Sequence, residues 1–249
     1  METFLIKEQY KIIRLIRLEE HFAAVHAVDV TSRSNEQYIL NIYDGELVKK
    51  YVGQFNELHN CPDYVGMFVR DESLVVVFKY SDGKPIDQCY YLGDNCNTGE
   101  CVFYADRLFK ETLAVSDFPP MISCAMLMSE QVRLRKTERD FVLRPVIVPV
   151  GEVNERELVL LLKDHIQKIL HVRFTTASSV RRYLRELDEI TFKSVVQMYS
   201  HWCARKPEME AEEAKFENMA FIPKIIGLIG INVKDFLYNL VRKNKEVRL

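Results

Sequence analysis

The sequence predicts an α+β protein: a five-stranded antiparallel sheet carrying one helix, followed by a mostly helical part. Three observations lead there. The first 80 residues are written largely in strand period, the period turns helical once within them, and helical spacing dominates after Pro85. Composition agrees with a folded chain. Of 249 residues 48% are hydrophobic, with 14 Phe, 12 Tyr and one Trp, which excludes disorder and supplies a large core. Nine Gly and eight Pro are too few for a collagen-like or linker-like chain. The balance of 34 basic against 36 acidic residues provides no global field for nucleic acid, so no nucleic-acid partner is expected.

The elements follow in order. Residues 10–18 alternate Ile12 and Ile13 with Arg14 and Arg17, and 22–30 (FAAVHAVDV) are small and β-branched. The polar turn at 31–37 leads into a third strand at 38–43 (YILNIY). The period then changes: over 45–61, Leu47, Val48, Tyr51, Phe55 and Leu58 recur at helical spacing, with Asp44 placed to cap the start. Strands at 64–69 and 74–80 flank the turn Arg70-Asp71-Glu72-Ser73, and Ser81-Asp82-Gly83-Lys84-Pro85 is expected to stop the sheet. Beyond it the spacing predicts a helix over 98–116, a Pro119-Pro120 turn, a short segment at 121–128, and a hairpin of 131–136 with 141–148. Helices follow at 155–170, 176–187, 190–205, 208–220 and 232–242. The change of composition at 81–88 divides the chain into a strand-rich part, 1–86, and a helical part, 87–249, which together form one compact unit.

Several short stretches fit this order to a known pattern. Asn60-Cys61-Pro62-Asp63-Tyr64-Val65 leads into the fourth strand. Val76-Val77-Phe78-Lys79-Tyr80, then Gly83 and Ile86, end the fifth. Met128-Ser129-Glu130-Gln131-Val132-Arg133-Leu134 precedes Phe141-Val142-Leu143-Arg144-Pro145-Val146. In this arrangement the sequence resembles the protein-kinase family over about residues 10–150. The resemblance implies a bilobal kinase-like fold, with the four stretches serving as the link to the fourth strand, the hinge, the end of the catalytic loop and the strand before the magnesium motif.

Phosphoryl transfer rests on positioning and charge: a glycine-rich loop, a Lys–Glu pair, and an Asp and an Asn on metal. Each is replaced here. The loop between the first two strands, Arg17-Leu18-Glu19-Glu20-His21-Phe22-Ala23-Ala24, has no glycine, and Glu19 and Glu20 would repel a triphosphate. The third-strand lysine position falls on Asn41. The helix glutamate window holds Tyr51, Val52 and Gly53, flanked by Glu46 and Glu57. Cys124 stands near the catalytic aspartate position and Gln131 at the metal-binding asparagine, and Arg144-Pro145-Val146 replaces Asp-Phe-Gly. The resemblance is therefore to a degenerate, pseudokinase-like bacterial domain. No catalytic, cofactor-binding or metal-binding residue is assigned, and no cofactor or small-molecule ligand is expected.

The remaining chemistry-bearing residues have plainer readings. Cys61, Cys89, Cys96, Cys101, Cys124 and Cys203 lack zinc-site spacing, although three lie within 89–101, and are expected to be reduced thiols. His165 and His171 are six apart, too far for a metal pair on one helix face. His201 and Cys203, two apart, point different ways on a helix, and Trp202 between them is expected to anchor the core. Asp140, Asp164, Asp188 and Glu189 are not paired by spacing for acid–base work. Arg173, Arg181, Arg182 and Arg185, with Lys163 and Lys168, form a local basic patch, read as a solvated face.

The N-terminal residues mix charge with apolar residues too closely for a signal peptide, and no apolar run reaches a membrane span's roughly 18 residues. A cytoplasmic location is expected, with the basic run at 242–248 suited to the inner face of a membrane. The resemblance adds that bacterial domains of this kind sit at the cytosolic side of membrane assemblies. The function expected is a non-catalytic protein-interaction or scaffold module with a protein partner. Two alternatives stand beside it: an atypical nucleotide-dependent phosphotransferase using Glu57, Lys79 and Asp140, and a generic α+β assembly subunit using the apolar stretch 221–231 (FIPKIIGLIGI).

Overall fold

The computed structural model describes residues 5–58, 60–90, 97–135, 137–219 and 221–246. Its main sheet contains β1 (Leu5–Ile6), β2 (Tyr10–Glu19), β3 (Phe22–Asp29), β4 (Gln37–Tyr43), β5 (Tyr64–Arg70) and β6 (Ser73–Lys79). All pairings are antiparallel, in the order β1-β2-β3-β4-β6-β5. Helix α1 (Glu46–Asn56) follows β4.

The expected five-stranded sheet is thus corrected: the main sheet has six strands, curled into a half-barrel, and a second sheet has three. The sixth strand exists because Lys7 and Glu8 both take positive φ, turning Leu5 and Ile6 back against Lys11 and Tyr10. No Gly or Asn marks that turn in the sequence. The second sheet joins β7 (Lys84–Pro85), β8 (Val132–Arg135) and β9 (Asp140–Leu143) in that order. Pro85 stops the large sheet yet serves the small one, on an edge where its missing N–H costs no ladder bond.

Strand alternation buries both faces of the main sheet. Phe22, Ala24, Ile39, Tyr43, Leu74, Val76 and Phe78 point toward α1 and the helices. Tyr10, Val25, Ala27, Tyr38, Leu40, Val75 and Val77 form a separate cluster on the other face. The curl encloses that cluster. Arg70 Nη1 donates to Leu5 O at 3.0 Å and Lys7 Nζ lies 4.8 Å from the Phe68 ring centre, so the two outer strands approach each other. Burial on two sides is why β4 and β6 read as nearly unbroken apolar runs.

The helices are α2 (Ile86–Tyr90), α3 (Thr98–Val115), α4 (Pro120–Met126), α5 (Glu155–Ile169), α6 (Ser178–Glu189), α7 (Val195–Glu217) and α8 (Phe221–Glu246). Asn97, Asn154 and Ser194 cap α3, α5 and α7, each accepting a bond from a first-turn N–H. One core runs without a break from Phe22 in the sheet to Met209 in α7. Its largest member is Trp202, fully buried, as the sequence suggested. Its ring lies 5.3 Å from Phe109 of α3 and 5.2 Å from Tyr183 of α6, and its Nε1 donates to Asp106 Oδ1 at 3.0 Å. Lys110 and Lys206 complete that carboxylate's shell at 2.9 and 3.1 Å.

Three other segments differ from expectation. Residues 144–148 are buried but are not strand. They are apolar because they lie inside the protein, and β9 ends at Leu143, just before Arg144 and Pro145. Helix α8 begins at Phe221 instead of 232; Pro223 sits in its first turn, where a missing N–H is tolerated. The helices expected at 190–205 and 208–220 are one helix, α7, running through Pro207. Burial of Trp202 on one side of the proline and Met209 on the other holds the two halves in line. Pro207 still removes the hydrogen bond to the Cys203 carbonyl. Pro207→Ala is therefore expected to stabilise the protein by up to about 3 kcal/mol, read as a higher denaturation midpoint. A lower midpoint would mean that the proline's geometry is needed for packing.

Candidate functional site

On the helix-facing side of the sheet, side chains of β4 and α1 receive residues 145–150. Asn41, in the middle of β4, is fully buried. Its Nδ2 donates to Pro145 O at 2.9 Å, and its Oδ1 accepts from Ile147 N at 2.9 Å. Two residues on, Tyr43 donates its hydroxyl to Ile147 O at 2.7 Å. From α1, Tyr51 accepts from Val150 N at 3.3 Å and Lys50 Nζ donates to Val150 O at 3.2 Å. Tyr43 and Tyr51 are themselves stacked, 4.5 Å apart. A neutral amide and two phenols thus hold a length of main chain against the sheet, and Val146, Ile147 and Val148 fill the space behind it.

The start of that segment is held from the other side. Arg144 is buried; its main-chain N–H donates to Gln131 O at 2.8 Å and its Nε to Gln131 Oε1 at 3.0 Å. Burial, with Arg133 and Arg14 nearby, pushes its guanidinium down to about 10, so it remains charged at neutral pH. Gln131 is spent as the acceptor for this arginine. Cys124 is buried in α4, and desolvation pushes its thiol up to about 11, which keeps it protonated and unreactive. The β2–β3 turn exposes Glu20 and His21, while Arg17 pairs with Glu19 and reaches Glu130 at 3.1 Å.

The other candidates do not converge on this place. Glu46 and Glu57 are exposed at the two ends of α1. Lys79 is exposed at the end of β6, with Glu36 nearby, whereas Asp140 lies 3.8 Å from Arg107 of α3. The three residues of the phosphotransferase alternative are therefore in different surroundings. Asp140 instead borders a cavity of about 170 Å³ with Cys61, Asp63, Glu111 and Arg135. Burial and the neighbouring Asp140 raise the Glu111 carboxyl above its ordinary range, so this corner holds mutually repelling acids.

The histidines and the basic patch resolve as structure. His165 is fully buried, with Nε2 2.6 Å from Leu127 O; desolvation lowers its pKa, and Nδ1 has no partner. His171 meets the Lys168 carbonyl and the Arg173 guanidinium. His201 lies 3.1 Å from Glu186 and stacks on Tyr183, while Cys203 is exposed. The basic side chains are paired: Lys163 with Asp188, Lys168 with Asp87 and Asp164, Arg182 with Glu208, and Arg181 and Arg185 both with Asp235. Arg181 is buried, so the expected solvated face is in part an internal joint between α6 and α8. Cys61 and Cys124 are buried free thiols, Cys89 and Cys101 are also buried, and Cys96 lies outside the described residues. Among the described residues no group of His, Cys, Asp or Glu is placed to hold a metal.

Sequence reasoning located Asn41, Tyr51, Gln131 and Arg144 but not their joint role, and it missed Tyr43. The available signal was two tyrosines on apolar faces of consecutive elements, whose hydroxyls need partners when buried. No family model matches this sequence, and none of the curated proteins matches it.

Two predictions follow from this geometry. Asn41→Ala leaves Pro145 O and Ile147 N buried without partners, an expected loss of roughly 2–4 kcal/mol in chemical denaturation. Asn41→Lys, which restores the cation of a phosphotransferase, is expected to cost more, because the ammonium would be buried with no acid beside it. The buried His165, and His26, which is also depressed by desolvation, bind fewer protons folded than unfolded. Stability is therefore expected to fall as pH drops from 7 to 5, and His165→Gln should flatten part of that slope.

Proposed function

We propose that the chain is a catalytically inert, pseudokinase-like module that acts by binding other proteins. One observation supports the reading: Asn41, which the resemblance sets at the lysine position, is fully buried and, with Tyr43, is spent on the backbone of residues 145 and 147. A weak or degenerate nucleotide site would keep an open cleft with some charge aimed into it. Here Asn41, Tyr51 and Gln131 are neutral and hydrogen-bonded, and Cys124 is held protonated. The partial kinase-like order of motifs supplies the class, and the loss of charge supplies its inert character.

A cytoplasmic setting, at the inner face of a membrane assembly, belongs to the same proposal. Among the described residues no helix is long and apolar enough to cross a membrane. The basic residues at 242–248 would suit proximity to anionic lipid.

The test is a thermal-unfolding series of the intact chain with ATP and Mg²⁺ or Mn²⁺. No shift in Tm is expected at millimolar nucleotide. A ligand present at a hundred times its Kd would stabilise by about 2.7 kcal/mol, which moves Tm by a few degrees. A metal-dependent shift of that size would overturn the reading and favour a nucleotide-using enzyme.

A further inference from the structure

Helix α8 carries six large apolar residues on its outer face: Ile225, Ile226, Ile229, Val233, Phe236 and Leu237, each 37–64% exposed. The opposite face of the helix joins the body. Leu228 is buried, Asn232 Nδ2 donates to Phe174 O at 2.9 Å, and Asp235 takes Arg181 and Arg185 at 2.9 and 2.6 Å. Arg185 also lies 4.5 Å from the Tyr238 ring centre. The helix is therefore pinned with its apolar strip outward. So large a contiguous strip on a soluble surface marks an interface.

The spacing of the strip identifies its occupant. The six residues lie six, five and two positions to either side of Ile231: 225 with 237, 226 with 236, 229 with 233. A pattern unchanged when the helix direction is reversed is what an isologous two-fold contact requires, since residue i must meet j while j meets i. The charges are arranged the same way. Gly227 lies against Phe216 near the end of α7, whose last turns carry Glu210, Glu213 and Glu217, while the exposed Lys234 lies in the second half of α8, three positions past Ile231. Reversal brings Lys234 of one helix toward the acidic end of the other copy's α7. An anionic bilayer would attract one half of this surface and repel the other.

The geometry points to a homodimer in which α8 packs antiparallel against α8 of a second copy, with Ile225 on Leu237, Ile226 on Phe236 and Ile229 on Val233. The inference stands on this surface alone and is independent of the inert-module reading.

Light scattering and sedimentation of the purified chain at tens of micromolar should show twice the chain mass. Ile229→Asp/Phe236→Asp should give a monomer with an unchanged far-UV circular dichroism spectrum, because both positions are exposed, and a Tm that no longer rises with protein concentration. The register is read by disulfide formation in a Cys203→Ser background, with that background alone as the control. Mixed Ile226→Cys and Phe236→Cys chains should cross-link to each other. Either variant alone should not, because antiparallel packing separates its own two sulfur positions by about 15 Å along the axis. A monomeric wild type, a dimer indifferent to the aspartates, or preferential 226-to-226 cross-linking would each overturn the proposal. A monomer that sediments with phosphatidylglycerol vesicles would overturn it in favour of a lipid-facing strip.

Discussion

The clamp of Asn41 on the backbone at Pro145 and Ile147 is the contact on which the arrangement depends. It joins the centre of the sheet to a segment 104 to 106 residues later, deep in the core, and satisfies a carbonyl and an N–H that would otherwise be buried without partners. Residues 144–150 have no regular partner strand. Their backbone groups are met instead by side chains from β4 and α1, together with Gln131. Remove these side chains and the segment has several polar groups to bury and nowhere to place them. An irregular, apolar, buried stretch is stable only because the sheet below it supplies amide and phenol groups at the right spacing.

That requirement explains why Asn41, Tyr43 and Tyr51 belong together. A lysine at Asn41 would need an acid, and the α1 window supplies Tyr51. A backbone clamp needs a donor and an acceptor on one side chain, which an amide provides and an ammonium does not. Tyr51 then stacks on Tyr43 and contributes its hydroxyl to the same segment. Gln131 similarly meets both the main chain and the guanidinium of Arg144. Asn41, Tyr43, Tyr51, Lys50 and Gln131 are thus members of one network that holds residues 144–150 by hydrogen bonds.

Much of the fold was legible because its periods are strong. Strands β2 to β6, with α1 among them, and helices α3, α5 and α6 follow the apolar spacing closely, and Trp202 is the anchor its uniqueness suggested. The failures have separate physical causes. Strand β1 depends on positive φ at Lys7 and Glu8, which side-chain type does not announce. The continuity of α7 through Pro207 is a tertiary effect, decided by Trp202 and Met209 against the local preference. Apolarity at 144–148 reports burial, not period, so it read as a strand. At the site, the sequence shows which charges are missing but not what fills their place. Tyr43 became visible as a member only once its hydroxyl was seen to face Ile147 O.

A filled centre also constrains where this protein can act. The corner at Glu111 gathers acids beside Arg135 in a cavity of about 170 Å³, and a larger cavity of about 440 Å³ lies between α6 and α8, lined by Arg181, Arg182, Arg185 and Lys234. The basic residues of α6, which could have served an anion, are drawn into pairs with Glu208 and Asp235. Those same pairs fix α8 on the body and so determine which of its faces is left to solvent. The buried Arg181–Asp235 contact is thus structural in one direction and consequential in the other: it spends charge inside and leaves isoleucine, valine, phenylalanine and leucine outside. Apolar surface held out by a buried ion pair is costly to keep exposed, and covering it recovers roughly 25 cal/mol for each Å² removed from water. The Arg181–Asp235 joint therefore sets how α8 is oriented on the body, and with it how much apolar area the helix presents outward.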